Sequence, residues 1–415
     1  MIRFHRGRLC KDDSEYVGGS MRKWRGISDR LGQWRKGHRR FRWWSLLILA
    51  LLVAPMLSAC AGGGARHESW PGLMVSDGTL YVANLEHVQA LNAETGKVYW
   101  SFPEGESKKV QPFYSTPVLA ESYGEHGFLL VAGFSDHTVY ALALGASPAE
   151  RPDEVWRFEG AGGQYVGTGT LADGLFIIGN GDGSVYALNV EDGSEAWHFI
   201  TRDRVWATPV VVGDTVYVAS LDHHLYALDL ASGDELWQTE MRGAIAGTPV
   251  VTAGSLWVGD FASTLYQVDL ESGSILWTWE AADWLWATPA VADDVLYLAD
   301  VSGHVYAFDA ATRAFIWDAP SIVDDVIRGR PIVNQEDHLL IVPGYEKGKL
   351  YAIDTQTGKL RQDWGVTLEN PGRLPGDLVA DGTRLYTLPI LVQERVQAFD
   401  LDSGELLWSS PQPTE

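Results

Sequence analysis

The sequence predicts an all-β fold: eight four-stranded antiparallel sheets set radially into a β-propeller, preceded by a signal peptide. Three observations lead there. One pattern repeats through residues 66–410, and its last element recurs as Trp100, Trp156, Trp197, Trp237, Trp277, Trp317, Trp364 and Trp408, with three successive spacings of 40 residues. Each unit holds four short segments rich in Val, Ile, Leu and Tyr, separated by Gly, Asp, Asn or Ser clusters, which read as strands and tight turns. No stretch after residue 60 carries the apolar period of a three-turn helix. An isolated four-stranded unit exposes both edges to aggregation, and radial closure protects them. Counting tryptophans gives eight blades.

The clearest copy runs Thr208-Pro209-Val210-Val211, Val216-Tyr217-Val218-Ala219, Leu225-Tyr226-Ala227-Leu228-Asp229, Ser232-Gly233 and Trp237. Its turn is chemically defined. The Asp229 side chain can accept bonds from amides ahead of it, and Gly233 supplies the positive φ of a hairpin bulge. Equivalent turns fall at Asn92/Gly96, Asn189/Gly193, Asp269/Gly273, Asp354/Gly358 and Asp400/Gly404. Blade six has Arg313 in place of the glycine, and blade two replaces the turn with an insertion from Pro148 to Pro152.

Composition narrows the function classes. With 46% hydrophobic residues and 18 Trp, the chain has the aromatics that disordered proteins lack. Its net charge of −22 argues against nucleic-acid binding, which rests on Lys and Arg. Two cysteines supply neither a disulfide framework nor a four-thiolate metal site. The charge is split: residues 1–59 carry 13 Lys and Arg against 4 Asp and Glu, leaving 19 against 50 for residues 60–415. The basic stretch ends at Arg42, and Trp43 to Met56 is apolar apart from Ser45, giving the order of a signal peptide over 1–59, with Met21 an alternative start. Leu57-Ser58-Ala59-Cys60 follows and resembles the lipobox of bacterial lipoproteins, in which the cysteine is lipidated. Residues 60–65 would then form a short glycine-rich tether to a propeller over 66–415.

The pattern Ala-x-Asp-x-x-Thr/Ser-Gly-x-x-x-Trp, complete at Ala227 to Trp237 and at Ala398 to Trp408, resembles the tryptophan-docking repeat of pyrroloquinoline quinone (PQQ)-type propellers. That resemblance implies indoles lying flat between blades, so the eight tryptophans above are expected to be structural. Quinoprotein dehydrogenases of the superfamily hold PQQ beneath a vicinal disulfide, with Ca²⁺ and an Asp base. This chain has no Cys after Cys60 and no haem-attachment motif, so it is expected to be neither an enzyme nor a cofactor or metal protein. Eight units and a lipobox also resemble the BamB-type lipoproteins of the outer-membrane β-barrel assembly machinery. The resemblance implies a monomeric, membrane-anchored scaffold on the extracytoplasmic side, on the outer membrane where the host has one. Its partner would be an envelope protein such as a β-barrel assembly component. A sugar- or ligand-binding sensor and, further off, a PQQ-dependent dehydrogenase are the alternatives.

In a four-stranded blade, the loops from outer strand to next inner strand share a face with those joining strands two and three. The first set holds Tyr114, Tyr165, Arg204, Trp206, Trp284, Trp286, Arg328 and Arg373, and the second holds Asp222, His223, His224 and His304. Aromatic and Arg residues on loops over a rigid scaffold are typical contact anchors, so the first eight are expected to touch a partner. They could equally seal gaps between blades. His223-His224 reads as a solvated turn before a metal site, Asn180-Gly181-Asp182-Gly183 as a hairpin before a calcium loop, and Asp293-Asp294 and Asp324-Asp325 as turn carboxylates without catalysis.

Overall fold

The computed structural model describes residues 70–104, 113–364, 372–390 and 395–410. The expected signal peptide, Cys60 and the expected tether lie outside these. All regular elements among the described residues are β-strands, gathered into eight antiparallel sheets ordered from axis to rim as they occur in the chain. Blade four shows the rule: Val210–Val212, Thr215–Ala219, His224–Asp229 and Glu235–Glu240 pair in sequence, with Val218 opposite Tyr226 and Ala227 opposite Trp237. Seven sheets have four strands. Among the described residues blade seven shows three, Ile332–Asn334, Leu339–Pro343 and Leu350–Asp354. At its outer position an isolated bridge joins Ile353 to Leu360, and the polar run Arg361-Gln362-Asp363 separates that bridge from Trp364.

Each junction between blades has its own apolar core. Alternation sends successive side chains of a strand to opposite faces, so each middle strand serves two junctions. Between blades three and four, Ile177, Val185 and Ala187 meet Val216, Val218, Tyr226 and Leu228. The same arrangement joins last blade to first, where Tyr386, Val396 and Ala398 meet Leu80, Val82 and Leu91.

The tryptophans sit at these junctions. Trp197 is 7% exposed, and its indole N–H donates to Leu230 O of the next blade at 2.9 Å. The indoles of Trp156, Trp237, Trp317, Trp364 and Trp408 likewise donate to Val190, Leu270, Thr355, Leu401 and Ala93 carbonyls at 2.8–3.3 Å. Trp100 donates to Pro148 O at 3.2 Å, so the blade-two insertion supplies the acceptor its missing turn would have given. Gly233 explains why the turn is glycine. Its φ is +74°, and a Cβ there would lie 2.6 Å from the Trp197 ring. Asp229 Oδ1 accepts from Ala231 and Ser232 amides and from the Ser232 hydroxyl, and a bulge between Ala227 and Leu228 turns Trp237 inward.

Blade six departs from this. Arg313 takes the glycine position at φ +65°, and its Nε donates to Gln267 Oε1 at 2.8 Å. Gln267 in turn replaces the repeat's alanine and donates to Ser255 Oγ at 3.0 Å. Two departures from the pattern, 46 residues apart, thus satisfy each other. Trp277 beside them packs edge-on against Trp257 and Phe308.

Candidate functional site

Register defines the site. The loop leading to each inner strand places three of its residues in three separate rings. One ring is core: Phe113, Tyr165, Val205, Ile245, Leu285, Ile327 and Leu374 are each at most 3% exposed. The next lines the mouth of a funnel on the ring axis and consists of Trp70, Tyr114, Val166, Trp206, Ala246, Trp286, Arg328 and Pro375. Two residues further, Thr116, Thr168, Thr208, Thr248, Thr288 and Asp377 line it more deeply. Thr208 N–H donates to Thr248 Oγ1 and Thr248 N–H to Thr288 Oγ1, both at 3.0 Å. Arg330 N–H donates to Asp377 Oδ1 at 2.8 Å in the same relation one blade on. At three junctions, four to five, five to six and seven to eight, one blade thus hands an amide to the next.

These loops are held rigidly. In blades four to seven the second-to-third-strand loop donates an amide to the loop entering that blade: Leu221 to Arg204 O, Phe261 to Ala244 O, Val301 to Trp284 O and Tyr345 to Val326 O, at 2.7–3.0 Å. The pairing confirms that both loop sets share one face.

Across blades four to eight the face carries a continuous series of rings and guanidinium groups. Trp206 and Trp286 approach to 6.5 Å over the small Ala246. Phe261 stacks on both Trp286 (4.9 Å) and Trp284 (5.4 Å). The Arg328 guanidinium lies 4.9 Å from the Trp286 ring and 4.1 Å from Tyr345, and Arg373 lies 5.3 Å from the same tyrosine. Arg373 also pairs with Glu346 at 3.0 Å. Trp284 is 36% exposed, and Arg204 is exposed outside the funnel lining.

Of the eight expected contact residues, the structure brings Trp206, Trp284, Trp286, Arg328 and Arg373 into this series. Tyr114 is in the funnel wall but packed against Phe134 at 4.4 Å. Tyr165 is corrected: wholly buried between blades two and three, it is core and cannot serve as an anchor. Aligning the repeat shows why, since Tyr165 occupies the Val205 position and Val166 that of Trp206. Phe261 and Tyr345 were missed. Their signal was an aromatic residue opening the turn after strand two, where blades three, four and six carry Gly181, Leu221 and Val301.

The titratable groups are mostly engaged locally. Desolvation pushes the Asp377 carboxyl above the usual range, against the Arg330 amide and charge. Burial also raises Asp325, opposed by amide bonds from Val326, Glu346 and Lys347. His224 meets Asp222 O through Nδ1 and Arg202 through Nε2. Asp182 accepts from the Gly162 and Ser184 amides and from the Tyr186 hydroxyl, which makes it a turn organiser. Among the described residues, no group of three or more His, Cys, Asp or Glu is placed to hold a metal ion. The funnel holds about 150 Å³, a volume that accommodates a benzene-sized group. A wider opening of about 520 Å³ lies among the inner strands of blades six to eight, lined by Val291, Ile332, Val379, Asp293 and Arg330.

Eight radial sheets closed by docked tryptophans define a PQQ-like propeller, and comparisons with known proteins refine that class. The family model described as outer membrane protein assembly factor BamB matches residues 147–247 and 224–415, and the chain belongs to that family. A BamB protein of Shewanella oneidensis is 27% identical over 190 residues, 43% of this chain and 42% of that protein. The serine/threonine-protein kinase AfsK of Streptomyces griseus is 30% identical over 158 residues, 36% of this chain and 18% of the kinase. The matches therefore span less than half of either relative. Among solved structures, BamB from Moraxella catarrhalis superposes with a TM-score of 0.63 at 16% identity, covering 79% of this chain and 96% of that one. The designed protein Ika8 gives 0.62 at 12%, covering 82% and 96%. A europium-containing methanol dehydrogenase gives 0.59 at 14%, covering 72% and 79%. At these identities the structural likeness is one of fold.

Proposed function

We propose that the chain is a lipid-anchored extracytoplasmic scaffold that binds a protein partner in outer membrane protein assembly and performs no catalysis. Family membership supports the process, and the Cys60 motif supports the anchor. The observation that carries partner binding is the aromatic and guanidinium series from Trp206 to Arg373. Stacked rings and Arg on loops fixed by backbone bonds are preorganised, so docking requires little side-chain ordering. The small funnel and the lack of cysteine after Cys60 weigh against a bound quinone of the dehydrogenase type.

The test is crosslinking in native membranes, comparing wild type with a Trp206→Ala/Trp286→Ala double variant. Loss of a specific envelope-protein adduct from the folded variant is the expected result. Unchanged capture would remove the proposal. Ligand sensing is a second reading, favoured by the segment shared with a serine/threonine-protein kinase. It would appear as retained small-molecule binding without any protein adduct.

A further inference from the structure

At the funnel mouth the repeat places neutral residues in seven blades and a cation in one, Arg328. That guanidinium is flanked by Trp286 and Tyr345, yet among the described residues it makes no ion pair, and its Nε is buried without a hydrogen-bond partner. Arginine stays charged at any physiological pH, and on this half-buried side chain a buried Nε–H without an acceptor is unfavourable. Rings on its faces leave the N–H edge as the remaining place for an acceptor. The neighbouring carboxylates are committed: Asp377 Oδ1 to the Arg330 amide, Glu346 to Arg373, and Asp325 to the Val326, Glu346 and Lys347 amides.

We propose that Arg328 is the recognition group of a carboxylate site: the funnel admits one carboxylate-bearing residue of the bound partner, whose oxygens pair with the guanidinium edge while its carbon chain lies against Trp286. The 150 Å³ volume suits one residue and excludes a folded segment. Charge sharpens the ligand class. Residues 60–415 carry 50 acidic against 19 basic side chains, so an extended acidic segment is repelled at long range. The partner segment is neutral or basic apart from this single acid. A dianionic phosphate would add charge against Asp377 in the same funnel. The inference rests on the reading that this face engages a protein.

The full-length chain in detergent would be titrated calorimetrically with Ac-Gly-Gly-Glu-Gly-Gly-NH2, its Gln counterpart, and Ac-Gly-Gly-Gly-Gly ending in a free acid or an amide. Saturable binding of the Glu or free-acid probe, at least tenfold tighter than the matching Gln or amide probe, is expected. Which pair discriminates identifies a side-chain or a terminal carboxylate. Arg328→Gln should abolish the discrimination, and Arg328→Lys should retain only part of it because the planar fork is lost. Should Arg328→Gln fail to fold, the Glu/Gln contrast on wild type still decides. Equal affinities within both pairs, or no saturable carboxylate binding, overturns the site. Crosslinking with the Trp206→Ala/Trp286→Ala variant reads the partner face separately, so either proposal can fail alone.

Discussion

Trp197, in blade three, and Trp286, in the loop entering blade six, are the same residue type in one ring, and they are used in opposite ways. Trp197 is wedged between blades, its N–H bonded to Leu230 O and its ring against Gly233. Trp286 stands at the funnel mouth, half-buried, stacked on Phe261 and facing Arg328. The difference teaches that a buried ring with a satisfied N–H and a glycine cut to receive it belongs to the architecture. A ring stacked among other rings at an open mouth remains available to a visitor.

Truncation separates the two uses most strongly. Trp197→Ala should cost about 3–5 kcal/mol through the cavity it opens, whereas Trp286→Ala should change stability by about 1 kcal/mol or less. Denaturant midpoints of the two variants check this, and equal losses would erase the distinction. Gly233→Ala removes no ring but forces a Cβ toward Trp197 at positive φ. It should destabilise by about 1–3 kcal/mol. The same change at Gly213, where nothing lies within 4 Å, should cost only the backbone strain of its φ of +57°.

The smallest effect concerns the turns beside the docked rings. Hydrogen bonds from the Ser or Thr three residues on hold Asp229, Asp269, Asp309, Asp354 and Asp400 below the usual carboxylate range. A carboxyl whose folded pKa is depressed stabilises above its unfolded value of about 3.9 and loses that contribution as pH falls through the folded value. Stability should therefore be nearly level above about pH 5 and decline below about pH 4. Ser232→Ala should flatten the decline slightly, and a decline starting near neutrality would point to other groups.

Blade number, strand order and turn chemistry were legible because each recurs: eight tryptophans, an Asp or Asn, and a glycine at fixed offsets. The contact face was only partly legible. Trp206, Trp286 and Arg328 were visible as unusual residues in a loop, but Tyr165 looked the same and is core. One residue of register decides between the two rings, and a loop read in isolation does not carry that register. Phe261 and Tyr345 were hidden for another reason. They meet Trp286 and Arg328 from a different loop, and side-chain stacking across loops leaves no mark on local spacing.

Among the described residues each sheet is built from one continuous stretch of chain, and the four strands of the last blade all come from residues 379–410. Closure between residues 72 and 410 therefore depends on side chains: Trp408 and Tyr386 both donate to Ala93 O, at 3.1 Å each. A latch of this kind engages only after residue 408 has been synthesised. Until then the nascent protein is an open arc with an uncovered apolar flank at either end, the surface on which a premature contact with another copy would form.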